Sequence, residues 1–237
     1  MNRWLVLLFL MGWGNAAFAR ELPSFEGLTE PKQRVGFSSQ VEGILEDVKV
    51  ERGDRVTRGQ ILARLKSGVE VASVRLAQAR VEYGQRKSLR NQELYKKQLI
   101  SIHDKDELET EIQLAQLQLV EAQERLALRT IRSTVDGVVV SRQGSPGEYV
   151  GEEPFLTVAQ INPLNVELVI PVEFFGTIRE GMDVHVVLDD PVGGSHPAKV
   201  VIVDQMIDAA SGTFGVRVEL PNPKLNLPAG LKCHVVF

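Results

Sequence analysis

The sequence predicts a multidomain, mainly β chain with an α-helical hairpin: a β-sandwich split by an antiparallel coiled-coil hairpin, followed by a small antiparallel β-barrel. Three observations predict it. A stretch of 22 residues recurs ninety-four residues later without a gap, two of its glycines falling on glycines. The segment between the copies has helix-forming composition and heptad spacing, and the last third is a series of short β-rich runs separated by turn residues.

The chain opens with Asn2 and Arg3, runs through the apolar WLVLLFLMGW and reaches Ala17-Phe18-Ala19. That is the order of a secretory signal, with cleavage expected after Ala19, so that residues 1–19 are removed. The apolar run is about half of the ~20 residues that span a bilayer, which makes a retained anchor the lesser reading. Arg20, not cysteine, follows the expected cut and offers no lipid attachment point. Residues 20–34 then form an N-terminal segment ahead of the repeat.

The 27 basic and 31 acidic residues give a formal charge of −4 without long single-sign blocks. This argues against a nucleic-acid binder, which needs a basic face. The single cysteine, Cys233, cannot form an internal disulfide, and its place in the alternating LKCHVVF suggests a quiet strand position. Export without disulfides fits a bacterial periplasm, although composition alone is also compatible with secretion further out.

VEGILEDVKVERGDRVTRGQIL, from Val41, aligns with VDGVVVSRQGSPGEYVGEEPFL, from Val135, at a constant offset of 94. Gly43 falls on Gly137, Gly53 on Gly147, Val56 on Val150 and Leu62 on Leu156. Each copy reads as short strands, with Gly43 or Gly137 opening a pairing segment and Gly53 or Gly147 turning the chain. A half of this size cannot bury an apolar face alone, so the two halves, 35–66 and 132–161, are expected to close one sandwich around shared valines and leucines.

The arrangement resembles the lipoyl or biotinyl carrier fold, which implies a cofactor lysine on a tight hairpin joining the halves. Here that joint is opened by about 65 residues, residues 67–131. Lys66 is the nearest lysine, but LKSGVEVAS runs on into a predicted helix and forms no exposed two-residue turn. No bound cofactor is expected.

From Val69 to about Gln98 the chain is rich in Ala, Leu, Arg, Gln and Glu, which suits a helix. A second helix is predicted from about Asp104 to Arg129, where Leu108, Ile112, Ala115, Leu119, Ala122 and Leu126 form a heptad seam. Val74, Ala77 and Val81 begin a matching seam in the first helix, which Gly84 and the polar run after it are expected to weaken; a mid-helix glycine costs about 1 kcal/mol relative to alanine. Ser101 or Asp104 can cap the second helix, and the short QLISIH connection makes the two antiparallel. The rod spans roughly 40 to 45 Å and reads as a device for reaching something; a hairpin folded back over the sandwich is the lesser reading, because its outer faces are densely charged.

A sandwich split in this way, with RTIRSTVDGVVV on the return, is similar to the periplasmic adaptor or membrane fusion proteins of the HlyD-like superfamily. The family's usual Ala-Pro after Ile131-Arg132 is replaced here by Ser133-Thr134. Adaptors that dock on an outer-membrane channel resemble one another in an Arg-x3-Leu-x6-Ser pattern at the hairpin tip, and Arg90, Leu94 and Ser101 stand at that spacing. The resemblance implies that Arg90 pairs with a carboxylate or carbonyl of the channel rim, Leu94 fills an apolar notch and Ser101 hydrogen-bonds at the turn. The bland alternatives are a solvated arginine, a seam leucine and a capping serine.

Asn162-Pro163 marks an expected boundary, after which LNVELVI, DVHVVL, AKVVIVDQ, GVRVEL and LKCHVVF predict a barrel of five or six strands over 162–237. PVEFFGTIREG is spaced to form one short helix plugging a barrel end. IDAASGTFGVRVELPNP and LPAGLKC are similar to the adaptor family's β-barrel domain. The chain stops at Phe237, so the fourth, membrane-proximal domain of many adaptors is not expected here.

His103, His185, His196 and His234 are scattered without ligand spacing, and no phosphate-binding loop, nucleophile elbow or dinucleotide fingerprint is present. No metal site and no enzyme activity are expected. The resemblance implies a periplasmic subunit that links an inner-membrane transporter, of the resistance-nodulation-division or ATP-driven type, to a TolC-like outer-membrane channel. It also implies a hexameric ring. A carrier subunit presenting an acylated or biotinylated lysine, and an envelope scaffold that never touches a channel, are the other readings.

Overall fold

The computed structural model describes residues 23–97 and 101–237. The expected signal over 1–19, its cleavage point and the middle of the interhelical connection, residues 98–100, lie outside them. The described chain is mainly β, with two helices and no other α-helix among the described residues.

The first half of the sandwich is β2 (Gly43–Val48), β3 (Arg55–Val56) and β4 (Ile61–Leu65). Two helices follow, α1 (Gly68–Lys96) and α2 (Ile102–Ala127), and then the second half: β5 (Thr130–Arg132), β6 (Gly137–Arg142), β7 (Tyr149–Val150) and the start of β8 (Leu156–Pro171). The halves exchange their shortest strands. β3 pairs with β6, Val56 facing Gly137, and β7 pairs with β2, Val150 facing Gly43. These two pairings are images of each other under the 94-residue offset, and neither half can complete its sheet without the other.

The bulges repeat as well. The β2–β4 register shifts between Leu45 and Asp47, and the β6–β8 register shifts between Val139 and Ser141, at equivalent positions. Between the sheets Leu45, Val56, Leu62, Val139, Val150, Leu156 and Val158 are buried in one cluster. At roughly 1.5–3 kcal/mol for each fully buried aliphatic side chain, this shared core is what ties the halves into one domain.

The C-terminal third is a closed six-stranded antiparallel barrel. Its strands are the later part of β8, β9 (Asp183–Leu188), β10 (Ser195–Val203), β11 (Thr213–Leu220), β12 (Lys232–Val236) and β1 (Phe25–Phe37), in the order β1-β12-β9-β10-β11-β8, with β1 returning to β8. Closure removes the exposed edges that a five-stranded sheet would present. Its core alternates strictly: Leu164, Val166, Leu168 and Ile170 point inward on β8, and Phe214, Val216, Val218 and Leu220 on β11.

Three elements differ from the sequence reading. The N-terminal segment expected over 20–34 is, from Phe25 onward, part of strand β1, which pairs with β12 through Phe25–Leu28 and with β8 from Gly27 to Phe37. The expected boundary at Asn162-Pro163 is no break: β8 runs through it, with a cis peptide at that bond, opposite the β1 bulge between Pro31 and Gln33. Since β1 and β8 pass from sandwich to barrel as one ladder, the two domains share continuous backbone pairing. The expected plug helix in PVEFFGTIREG is a single 3-10 turn, Val172–Phe174, because the chain then turns at Gly176 and Gly181, both at positive φ. Ile178 still plugs the barrel, buried in its core.

Candidate functional site

The hairpin is held together along one seam. On α2 the residues partly or fully withdrawn from solvent between 108 and 126 are Leu108, Ile112, Ala115, Leu119, Ala122 and Leu126. On α1, Val74, Ala77, Val81 and Gly84 face them. Gly84 does not weaken the seam as expected. It is buried there, and a Cβ at that position would lie 2.9 Å from Ile112 Cγ1, so the absent side chain lets the helices approach. Polar links flank the contact, Lys87 to Glu111 at 3.2 Å and Arg80 to Gln118 at 3.2 Å. The seam continues past Gly84 through half-buried Ser88 and Asn91, which makes the distal part of the rod polar.

At the distal end Arg90 and Leu94 sit one turn apart on α1, both exposed, and Leu94 lies outside the seam with 39% of its surface accessible. Arg90 forms no ion pair among the described residues. Ser101 is the N-cap of α2: its Oγ accepts from the Asp104 backbone N–H at 3.1 Å, and its own N–H donates to Asp104 Oδ2 at 3.0 Å. The Ser101 hydroxyl also donates to that carboxylate at 2.8 Å, so it is engaged within the turn. These bonds hold the Asp104 carboxyl below the usual carboxylate range. Nearby, Lys105 Nζ stands 5.5 Å from the Tyr95 ring centre, joining the last turn of α1 to the first of α2.

The four glycines singled out in the repeat have two different tasks. Gly53 and Gly147 adopt φ +95° with open space where a Cβ would be, so conformation alone requires them. Gly43 and Gly137 are close approaches: a Cβ at Gly43 would fall 2.7 Å from Arg129 Nη1, and one at Gly137 would collide with the Ala159 carbonyl. Neither Gly84 nor Arg129 was picked out from the sequence as functional. A glycine in a helix reads as a cost, and an arginine in a charged segment reads as solvated.

Among the described residues no group of three or more His, Cys, Asp or Glu is arranged to hold a metal ion. Lys66 follows β4 directly, with its backbone N–H on the Ile44 carbonyl, and leads straight into α1. Cys233 is buried in the barrel, which pushes its thiol up to about 11 and leaves it a poor nucleophile. No described helix is long and apolar enough to cross a membrane.

A sandwich made of two strand-exchanged repeats, split by a helical hairpin and fused to a barrel through shared strands, defines a barrel-sandwich hybrid. Residues 34–160 match the model of the CzcB-like barrel-sandwich hybrid domain, and the chain belongs to that family. This agrees with the adaptor family that the sequence resembles. Among curated relatives, the solvent efflux pump periplasmic linker SrpA of Pseudomonas putida is 24% identical over 221 residues, covering 84% of this chain and 56% of SrpA. The nodulation protein NolF of Rhizobium meliloti is 22% identical over 220 residues, covering 86% and 60%. The chain thus spans between half and two thirds of the length of the curated relatives it matches. Among solved structures, a MacA-MexA chimera carrying the Pseudomonas aeruginosa MexA α-hairpin aligns with TM-score 0.75 at 21% identity, over 90% of this chain and 80% of the chimera. MacA from Actinobacillus actinomycetemcomitans gives 0.66 at 20%, over 90% and 77%. The structural likeness establishes the fold.

Proposed function

We propose that the chain is a periplasmic adaptor, or membrane fusion, subunit that links an inner-membrane transporter to a TolC-like outer-membrane channel in a tripartite efflux or secretion system. The observation that carries this reading is the two-helix rod, 29 and 26 residues long, projecting from a base in which sandwich and barrel share strands. Such a base resists bending between its domains, and the rod presents a tip at a distance of roughly 40 Å. The names of the relatives support the same reading, since SrpA and TtgG are efflux pump periplasmic linkers. In this role the protein catalyses nothing; it stabilises a conduit, as a ring of copies, hexameric by family resemblance. It acts in the periplasm after removal of its signal.

Docking falls to Arg90, Leu94 and Ser101. Arg90 offers an exposed guanidinium fork to a carboxylate or carbonyl, and Leu94 an exposed apolar knob one turn on. The barrel faces the transporter, of the resistance-nodulation-division or ATP-driven type. The test is crosslinking in cells from Arg90→Cys and Leu94→Cys at the tip and from Met206→Cys, the most exposed large apolar residue of the barrel. Crosslinks from the tip to an outer-membrane channel and from the barrel to an inner-membrane protein are expected. Absence of any outer-membrane product from both tip positions would overturn the adaptor reading in favour of a scaffold. An added lipoyl or biotinyl mass on the purified protein would overturn it in favour of a carrier.

A further inference from the structure

Arg129 follows α2 directly and belongs, by its backbone, to the sandwich: its carbonyl accepts the Leu65 N–H at 2.8 Å. Its side chain reaches elsewhere. Nη2 contacts Glu70 Oε1, in the first turn of α1, at 2.7 Å, and Nη1 donates to the Glu42 carbonyl, at the start of the sandwich, at 3.0 Å. Glu42 in turn accepts the Tyr149 hydroxyl on β7 at 2.5 Å. One guanidinium therefore joins the roots of both helices to the first half of the sandwich, and Glu42 passes the connection to the second half.

Three features mark this arrangement as more than a surface pair. With side chains 22% and 17% exposed, it is the most sheltered ion pair among the described residues. The position beneath it is Gly43, where any Cβ would strike Nη1 at 2.7 Å, whereas the repeat-equivalent Gly137 is crowded by backbone instead. Beside the pair, at the root of the hairpin, lies a cleft of about 440 Å³ lined chiefly by the helix residues Val69, Ser73, Gln118, Glu121, Ala122 and Arg125, with Val41 from the sandwich.

We propose that Arg129, with Glu70 and the Glu42 carbonyl, is a latch that fixes the angle of the hairpin relative to the sandwich. Its purpose rests on the adaptor reading: with a rod of about 40 Å, a tilt of about 10° moves the tip by about 7 Å, enough to miss a docking notch. The charge-assisted fork supplies direction as well as attraction, which a lysine would supply only in part. Arg129 is thus a positioning residue that acts through the tip and touches no partner itself.

The test measures the angle on the purified full chain. Spin labels at Leu89→Cys on α1 and Arg52→Cys on the sandwich, both exposed, are placed in a Cys233→Ala background, and the interspin distance distribution is recorded by pulsed electron resonance. A single narrow distribution is expected for the parent, a widening of about twofold or a displaced maximum for Arg129→Ala and Glu70→Gln, and an intermediate width for Arg129→Lys. Unchanged widths in Glu70→Gln and in a folded Arg129→Ala overturn the latch. Should Arg129→Ala fail to fold by circular dichroism, Glu70→Gln, which keeps the size and shape of the side chain, decides alone. Failure of the tip crosslinks leaves these widths unaffected and counts against the adaptor reading only.

Discussion

Gly53 and Gly147, ninety-four residues apart, share the backbone angle φ +95°, and each donates its N–H into the opposite half of the sandwich, Gly53 to the Val139 carbonyl at 2.9 Å and Gly147 to the Leu45 carbonyl at 2.8 Å. The acceptors are themselves repeat equivalents. The same reciprocity extends to Asp54 and Glu148, whose carboxylates accept the N–H groups of Glu51 and Ser145. Ser39 and Ser133 likewise donate to the carbonyls of Val41 and Val135, each at 2.6 Å. An internal twofold is thus written into individual hydrogen bonds, well below the level of strand order.

Gly53→Ala and Gly147→Ala should therefore destabilise the protein by similar amounts. Neither Cβ would meet an atom within 4 Å, so the cost is conformational, about 1–2 kcal/mol for a left-handed residue. Chemical denaturation of each variant measures it. A loss in only one of them would show that the halves do not contribute equally to the shared core.

Gly84 should respond in the opposite sense to its helix propensity. On propensity alone Gly84→Ala would gain about 1 kcal/mol, but the new methyl meets the β-branched Ile112 at 2.9 Å. The expected result is no gain for alanine and a loss of about 1–3 kcal/mol for Gly84→Leu, from overpacking. Melting followed at a helix wavelength checks both, and Gly84→Ala with Ile112→Ala should recover the propensity gain relative to Ile112→Ala alone.

The repeat, the α2 seam and most barrel strands were legible because each is a periodic signal: two glycines at a fixed offset, leucines at heptad spacing, strict alternation in GVRVEL. β1 was not, because its inward positions are Phe25, Gly27 and Thr29, which do not read as an apolar face. Thr29 is fully buried only because the Pro228 and Leu231 carbonyls accept its hydroxyl, partners two hundred residues away. Arg129 was invisible for the same reason: its partners, Glu70 and the Glu42 carbonyl, lie far away along the chain. At the tip the sequence supplied Ser101 as a cap and as a docking residue, and the structure gives its hydroxyl a partner within the turn.

Asn222 should be among the least replaceable polar residues. It is buried, its amide donates to the Ile161 and Leu227 carbonyls at 2.9 and 2.8 Å, and its carbonyl accepts the Leu227 N–H at 3.2 Å. It closes the loop after β11 against the point where β8 passes from sandwich to barrel. Asn222→Leu strands these backbone groups without a partner and should cost about 3 kcal/mol or more, read as a fall in the denaturation midpoint.

Protonation should act on α2 through Asp104, and the sign follows from the capping box. The carboxylate is favoured in the fold by the Ser101 hydroxyl and backbone N–H, so its pKa lies below the unfolded value. The stabilisation is present in full above the ordinary carboxylate range and is lost as pH falls through the folded value, that is, below about pH 4. The resonances of Ser101 and Asp104 should titrate there while the centre of α2 stays unchanged, and Asp104→Asn should flatten the titration. The same pair separates the two tasks proposed for Ser101. Ser101→Ala removes both cap and docking hydroxyl, whereas Asp104→Ala loosens the cap but releases the hydroxyl. If tip crosslinking survives Asp104→Ala and fails in Ser101→Ala, Ser101 binds the channel directly; equal loss in both assigns it to capping α2.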